Sequence, residues 1–110
     1  MEFNEVVSEV SVVEDPIYKI TMTGDAEIEL ELPLRMLNID VERGKRLKID
    51  LDEKKNSDYK KIYDIYLWGI VYNVDNNSTY ISIGGLLLKI KKSLPLSPGV
   101  RLYIGIKLSS

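Results

Sequence analysis

The sequence predicts an all-β fold, a small barrel or sandwich of short antiparallel strands, and three observations support this. Apolar and polar residues alternate along several segments, which places the apolar side chains on one face of a strand. Clusters of Gly, Asn, Asp and Pro separate these segments, as is typical of tight reversals. No segment has the periodicity of a long helix. The chain has 110 residues, so we expect one domain spanning residues 1–110.

Alternation is clearest in residues 26–32, A-E-I-E-L-E-L, where apolar residues share one face and three glutamates share the other. The first two strands are expected to be separated by Asp15-Pro16, because proline cannot donate a hydrogen bond to a sheet. Residues 33–37 are expected to form one helical turn, and residues 52–61 a solvated loop. Further strands are predicted at residues 3–14, 17–23, 47–52 and 100–108.

Residues 62–74, I-Y-D-I-Y-L-W-G-I-V-Y-N-V, form a different kind of strand, in which both faces are apolar or aromatic from Ile65 to Val74. A strand of this composition is normally covered on both sides. We expect the core to cover one side, and other parts of the chain or a partner to cover the second.

Residues 80–90, Y-I-S-I-G-G-L-L-L-K-I, contain two adjacent glycines within an apolar segment. The apolar face falls on odd positions before the pair and on even positions after it. A β-bulge accommodates such a one-residue shift, and glycine tolerates the dihedral angles of a bulge. We therefore predict one bent strand with a barrel corner at Gly84 and Gly85, and we expect Leu87 on its outer face, where a partner can contact it.

Composition excludes several kinds of site. The sequence has no histidine and no cysteine, so we expect neither a zinc or haem site nor a Ser-His or Cys-His nucleophile, and no cofactor. Glu27, Glu29 and Glu31 share one strand face, whereas paired-carboxylate hydrolysis needs two acids opposed across a cleft. We expect this row to blunt a sheet edge or to meet a basic partner, and we expect no enzymatic activity.

The charges are divided unevenly along the chain. Residues 1–58 carry a net charge of −7 and residues 59–110 a net charge of +5. Such a division can mark a surface that faces nucleic acid. We favour the alternative that neighbouring strands mix the two halves in space.

The segment of residues 80–90 resembles the signature of the eighth subunit of eukaryotic and archaeal DNA-directed RNA polymerase, in which Tyr-x-Ser-x-Gly-Gly-Leu-Leu-Met lies in the last third of the chain. Residues 65–72, I-Y-L-W-G-I-V-Y, are similar to the family's aromatic-Gly-Lys-Val-Tyr strand, and residues 100–108 resemble its closing strand. Ile70 stands where the family often has lysine, and Leu88 where it often has methionine. The short loops resemble the compact archaeal form of this subunit. The resemblance covers nearly the whole chain, and the Gly-Gly-Leu-Leu segment is its specific part.

This resemblance implies an oligonucleotide/oligosaccharide-binding (OB) type of barrel that acts as a non-catalytic subunit. It implies docking on the largest polymerase subunit, support of assembly and stability, and at most indirect contact with nucleic acid. The expected location is the cytoplasm of an archaeal cell, at the nucleoid through the polymerase. The candidate partner-binding residues are Tyr66, Trp68, Gly84, Gly85 and Leu87.

The alternative is a stand-alone OB-fold protein that binds single-stranded nucleic acid. Aromatic side chains would stack on bases, and lysines would contact the phosphates. The aromatic candidates are Tyr63, Tyr66, Trp68, Tyr72 and Tyr80. The basic candidates are Lys89, Lys91 and Lys92, together with Lys60 and Lys61. Against this alternative, part of the aromatic set must point into the core, and the net charge of −2 is opposite in sign to that of most such domains.

Overall fold

A computed structural model describes residues 1–109 of the protein. Their strands are β1 (Glu2–Glu14), β2 (Ile17–Gly24), β3 (Ile28–Leu32), β4 (Arg46–Asp52), β5 (Ile65–Val74), β6 (Thr79–Ile83), β7 (Leu86–Ile90) and β8 (Arg101–Leu108). Two single-turn helices are α1 (Leu34–Leu37) and α2 (Tyr59–Ile62).

The strands close into an antiparallel barrel with the order β1-β2-β3-β7-β6-β5-β8-β4, and β4 pairs with β1 to complete the ring. The predicted all-β class and the small antiparallel barrel are confirmed, and the barrel has eight strands, whereas the OB fold has five. No helix within residues 1–109 is long and apolar enough to cross a membrane.

The interior is filled by apolar side chains from alternate strand positions. Ile28, Leu30 and Leu32 of β3 are buried, whereas the glutamates between them are partly exposed, as the sequence predicts. Fully burying one such side chain stabilises the fold by about 1.5–3 kcal/mol. The same alternation on β4 and β8 fixes which side chains of those strands point outward.

The Gly84-Gly85 pair is a hairpin turn between two strands, so the predicted bulge in one bent strand is wrong. Both glycines have positive φ, 57° and 97°, which is the conformation of a type I′ two-residue turn. Ile83 and Leu86 are paired across the turn and point to the same side. A two-residue turn therefore moves the apolar face from odd to even positions, just as a bulge does.

Two connecting segments contain helical turns. The turn predicted at residues 33–37 is confirmed by α1. Residues 52–61, predicted to be a loop, include the start of α2, which begins at Tyr59. Because α2 leads directly into Tyr63 and then β5, it brings two tyrosines close to the outer surface of the barrel.

Glu5 is a carboxylate inside the barrel. It lies on β1 among inward-facing positions and is only 2% exposed. Its Oε2 accepts a hydrogen bond from the Ala26 amide at 3.3 Å, whereas its Oε1 has no partner within residues 1–109. Burial raises the pKa of this carboxyl above 4.5, because removal from water penalises the charged form.

The Gly84-Gly85 turn predicts different effects on stability for two substitutions. Gly84→Asn should preserve stability, because Asn tolerates positive φ and Asn-Gly is a preferred type I′ pair. Gly85→Val should lower the free energy of unfolding by about 1–2 kcal/mol, the usual cost of a left-handed conformation. Chemical unfolding measures the free energy of unfolding of both variants, and an equal decrease in the two would contradict the assigned turn.

Glu5→Gln is expected to stabilise the protein by about 1–2 kcal/mol near neutral pH, because it removes a buried charge. Because the folded-state pKa of Glu5 is raised, the protonated carboxyl contributes stability to the wild type below pH 4.5, and this contribution is lost as the pH rises through the folded-state pKa. The stability advantage of Glu5→Gln over the wild type should therefore become smaller at acidic pH. Unfolding curves against pH measure it, with exposed Glu9→Gln as the control. A Glu5→Gln variant that is less stable than the wild type at every pH would contradict this account.

Candidate interaction surface

The outward-facing side chains of β5, β6 and β7 form one surface, which we call the aromatic face. Ile70, Ser82 and Leu87 lie in register in one row across the three strands. Trp68 and Tyr72 are 52% and 51% exposed. The members of the aromatic face are Trp68, Ile70, Tyr72, Tyr80, Ser82 and Leu87.

The Gly84-Gly85 turn separates two hollows at the rim of this face. A hollow of about 440 Å³ opens between Tyr72 and Leu87 on the Gly85 side. A second hollow, of about 320 Å³, opens beside Trp68 on the Gly84 side. A Cβ atom at either glycine would meet nothing within 4 Å. The turn therefore adds no side chain to the space above it.

One end of the outer surface of β5 is covered by the chain itself, through four tyrosines that we call the tyrosine stack. The Tyr66 ring lies 4.7 Å from Tyr59, 5.5 Å from Tyr63 and 6.0 Å from Tyr103, all nearly parallel. The Tyr66 hydroxyl accepts a hydrogen bond from the Asn56 amide at 2.9 Å. We expected the core to cover one side of this strand, and other parts of the chain or a partner to cover the second. The chain itself covers Tyr66, whereas Trp68 is left exposed.

Tyr63 is held in place by a glycine and a carboxylate. Its ring lies where a Cβ atom of Gly105 would be, within 2.6 Å of that position. Its hydroxyl donates to Asp50 Oδ2 at 2.5 Å. Burial, and then the hydrogen bond to Asp50, raise the pKa of Tyr63 to about 12. The absence of a side chain at Gly105 therefore leaves room for the Tyr63 ring, which stacks on Tyr66.

Cations lie over the aromatic rings at the border of the surface. The Arg101 guanidinium is 4.4 Å from the centre of the Trp68 ring, and Lys89 Nζ is 5.5 Å from that of Tyr80. Glu31 is at the far border, where its Oε1 accepts a hydrogen bond from the Leu87 amide at 2.9 Å. Two cations and one carboxylate thus lie at the border of the aromatic face.

The glutamate row of β3 lies between lysines of the neighbouring strands. Lys91 Nζ is 3.2 Å from Glu27 Oε2, and Lys19 Nζ is 3.8 Å from Glu29 Oε1. Lys89 stands directly opposite Glu29 in the β3–β7 register. In the closed barrel β3 is not an edge strand, so the predicted edge role of the row is wrong, and its basic neighbours belong to the same chain. The expected mixing of the acidic and basic halves is confirmed here.

The remaining predicted basic contacts are dispersed. Lys92 is exposed just after β7. Lys60 and Lys61 lie on α2, which packs through Tyr59 on β5. Within residues 1–109, no three His, Cys, Asp or Glu side chains are grouped so that they could hold a metal ion.

Comparisons with known proteins add little. No family model matches the chain, and no curated protein matches its sequence significantly. One solved structure that matches is the cytoplasmic molybdate-binding protein ModG with molybdate bound, at 16% identity and a TM-score of 0.34, covering 97% of this chain and 89% of that chain. A likeness of this size assigns no ligand to the present protein.

Tyr63→Phe is expected to lower stability by about 1 kcal/mol near neutral pH, through loss of the hydrogen bond to Asp50. Because the folded-state pKa is raised from 10.0 to about 12, the contribution of this hydroxyl is complete below pH 10 and is lost as the pH rises toward 12. The difference in free energy of unfolding between Tyr63→Phe and the wild type should therefore become smaller between pH 10 and about 12. Urea unfolding measures it, with exposed Tyr72→Phe as the control. A difference that stays constant with pH would contradict the shifted pKa.

Proposed function

We propose that this protein is a non-catalytic subunit of a DNA-directed RNA polymerase, docking on the largest subunit and supporting assembly and stability of the enzyme. The resemblance of residues 65–72, 80–90 and 100–108 to the eighth-subunit family is the first support. The structural observation that carries the proposal is the aromatic face, where Trp68 and Tyr72 are each about half exposed beside two hollows.

Aromatic side chains in this position suit a protein interface. Tryptophan and tyrosine dominate the energetics of docking because each buries a large area at a low entropic cost. A contiguous exposed apolar patch on a small protein is typical of an interaction site. The tyrosine stack fixes the strand beneath Trp68, so the surface is ordered before a partner arrives.

The location proposed is that of the polymerase, the cytoplasm of an archaeal cell at the nucleoid. No cofactor takes part in the proposed role, and any contact with nucleic acid would be indirect.

Binding of single-stranded nucleic acid is the second candidate for the same face. The Trp68–Arg101 and Tyr80–Lys89 pairs combine a stacking ring with a cation, as such binders do. Against this candidate, Tyr63 and Tyr66 are stacked on each other and Lys91 is paired with Glu27. We therefore rank it below the polymerase proposal.

The first experiment is to tag the protein in its native host, treat the lysate with nuclease, and recover it at moderate salt. The proposal expects the large RNA polymerase subunits in stoichiometric amounts. Recovery of the protein alone, or of a complex that nuclease dissolves, would overturn the polymerase assignment and favour the second candidate.

Trp68→Ala and Leu87→Ala are each expected to weaken binding to the largest subunit by about 2 kcal/mol or more, as at interface hot spots. Met36→Ala is the control, since Met36 is 74% exposed on α1, outside the aromatic face. Trp68 is the single tryptophan, so its fluorescence reports directly on this surface in the wild type. Unchanged affinity in both alanine variants would remove these residues from the interface.

A further inference from the structure

A second surface lies on the outer side of β1, β4 and β8, and we call it the cationic groove. It is a hollow of about 440 Å³. The side chains around it come from two rows across the three strands. The first row is Asn4, Lys48 and Lys107, and the second is Val6, Arg46 and Ser109.

The register of β4 and β8 places two like charges together. Lys48 and Lys107 are directly opposite each other in the antiparallel pair, an arrangement that destabilises a sheet when nothing lies between the charges. Arg46 lies two residues from Lys48 and therefore on the same side of β4. Three cationic side chains thus border one hollow, whose lining also includes Glu5 and Leu47, two residues with buried side chains.

The groove is poorly neutralised by the rest of the chain. Lys48 Nζ is 3.3 Å from Glu2 Oε1, and both side chains are largely exposed. Arg46 and Lys107 have no carboxylate within 4.0 Å in the part of the chain that the structure describes. Lys19 and Lys91, beside the β3 glutamates, are paired instead. Two of the three cationic side chains of the groove are therefore without a carboxylate partner.

We propose that the cationic groove binds phosphate groups. A phosphate is compact and polyvalent, so one ion can lie between Lys48 and Lys107 and relieve their repulsion. The Arg46 guanidinium can donate two parallel hydrogen bonds to it. The Asn4 amide and the Ser109 hydroxyl supply neutral donors. Val6 is the one apolar side chain of the two rows, so the groove offers no ring on which a base could stack, and recognition is of phosphate rather than of sequence.

The groove is independent of the proposed docking surface. In the eight-stranded ring, β4, the middle strand of the groove, is three strands from β6 in one direction and five in the other. The groove and the aromatic face therefore share no strand and lie on different sides of the barrel. A protein bound through Trp68 would leave the groove open to solvent, so this proposal does not rest on the identity of that partner.

The test measures binding of two phosphate sources to the full chain. Inorganic phosphate is titrated while backbone amide shifts are followed by NMR, and labelled duplex DNA is titrated by fluorescence anisotropy at several salt concentrations. The variant is the double substitution Lys48→Gln and Lys107→Gln. The matched control is Lys19→Gln, because the Lys19 and Lys48 side chains are both 41% exposed and each lies beside one glutamate, Glu29 and Glu2 respectively, but Lys19 is outside the groove.

The proposal expects phosphate to shift amides of residues 4–6, 46–48 and 107, and expects the double variant to weaken binding at least about tenfold while Lys19→Gln does not. If the natural source is nucleic acid, duplex DNA binds more tightly than phosphate, and its log K falls with log salt by about 0.9 for each phosphate contacted. If the source is a small phosphate compound, DNA neither binds nor competes.

Three results would overturn the proposal. The first is the absence of binding by either probe at low salt. The second is binding that the double variant leaves unchanged although its circular dichroism and melting temperature match those of the wild type. The third is tighter binding of oligoglutamate than of both phosphate probes, together with loss of that binding in the double variant. This result would assign the groove to an acidic protein segment.

Discussion

Pairing of β4 with both β1 and β8 closes the sheet into a ring, and every surface of the molecule depends on this closure. In a closed antiparallel barrel no strand edge is left unpaired, and each side chain points either to the core or to solvent. Ile49 is completely buried because it points inward from β4. Its neighbour Lys48 points outward for the same reason. The core and the two candidate binding surfaces are thus opposite sides of the same strands.

Alternation in the sequence was enough to predict β3, β4 and β8, because the period of two follows directly from strand geometry. It was not enough to identify the Gly84-Gly85 turn, since a bulge and a two-residue turn shift the apolar face equally. A further sequence feature does favour the turn. Two alternating segments separated by two glycines are typical of a type I′ hairpin, and the positive φ at both positions agrees with it.

The candidate surfaces were only partly predictable, because they depend on which strands become neighbours. The exposure of Trp68 follows from a strand that is apolar on both faces. The partial burial of Tyr66 depends on Tyr59, which comes from a segment that is polar in sequence and is predicted to be a loop. The cationic groove had no local pattern at all. Lys48 and Lys107 are far apart in the chain, and only the β4–β8 register brings them together.

The position of β8 also affects how the protein can be made. This strand is the last of the eight to leave the ribosome, yet β4 and β5 both use it as a hydrogen-bonding neighbour. Until residues 101–108 emerge, the nascent chain carries two open strand edges beside apolar inner surfaces, the kind of surface to which other chains add. The barrel is therefore completed only after residues 101–108 have left the ribosome, and β4 and β5 are most open to association with other chains during that interval.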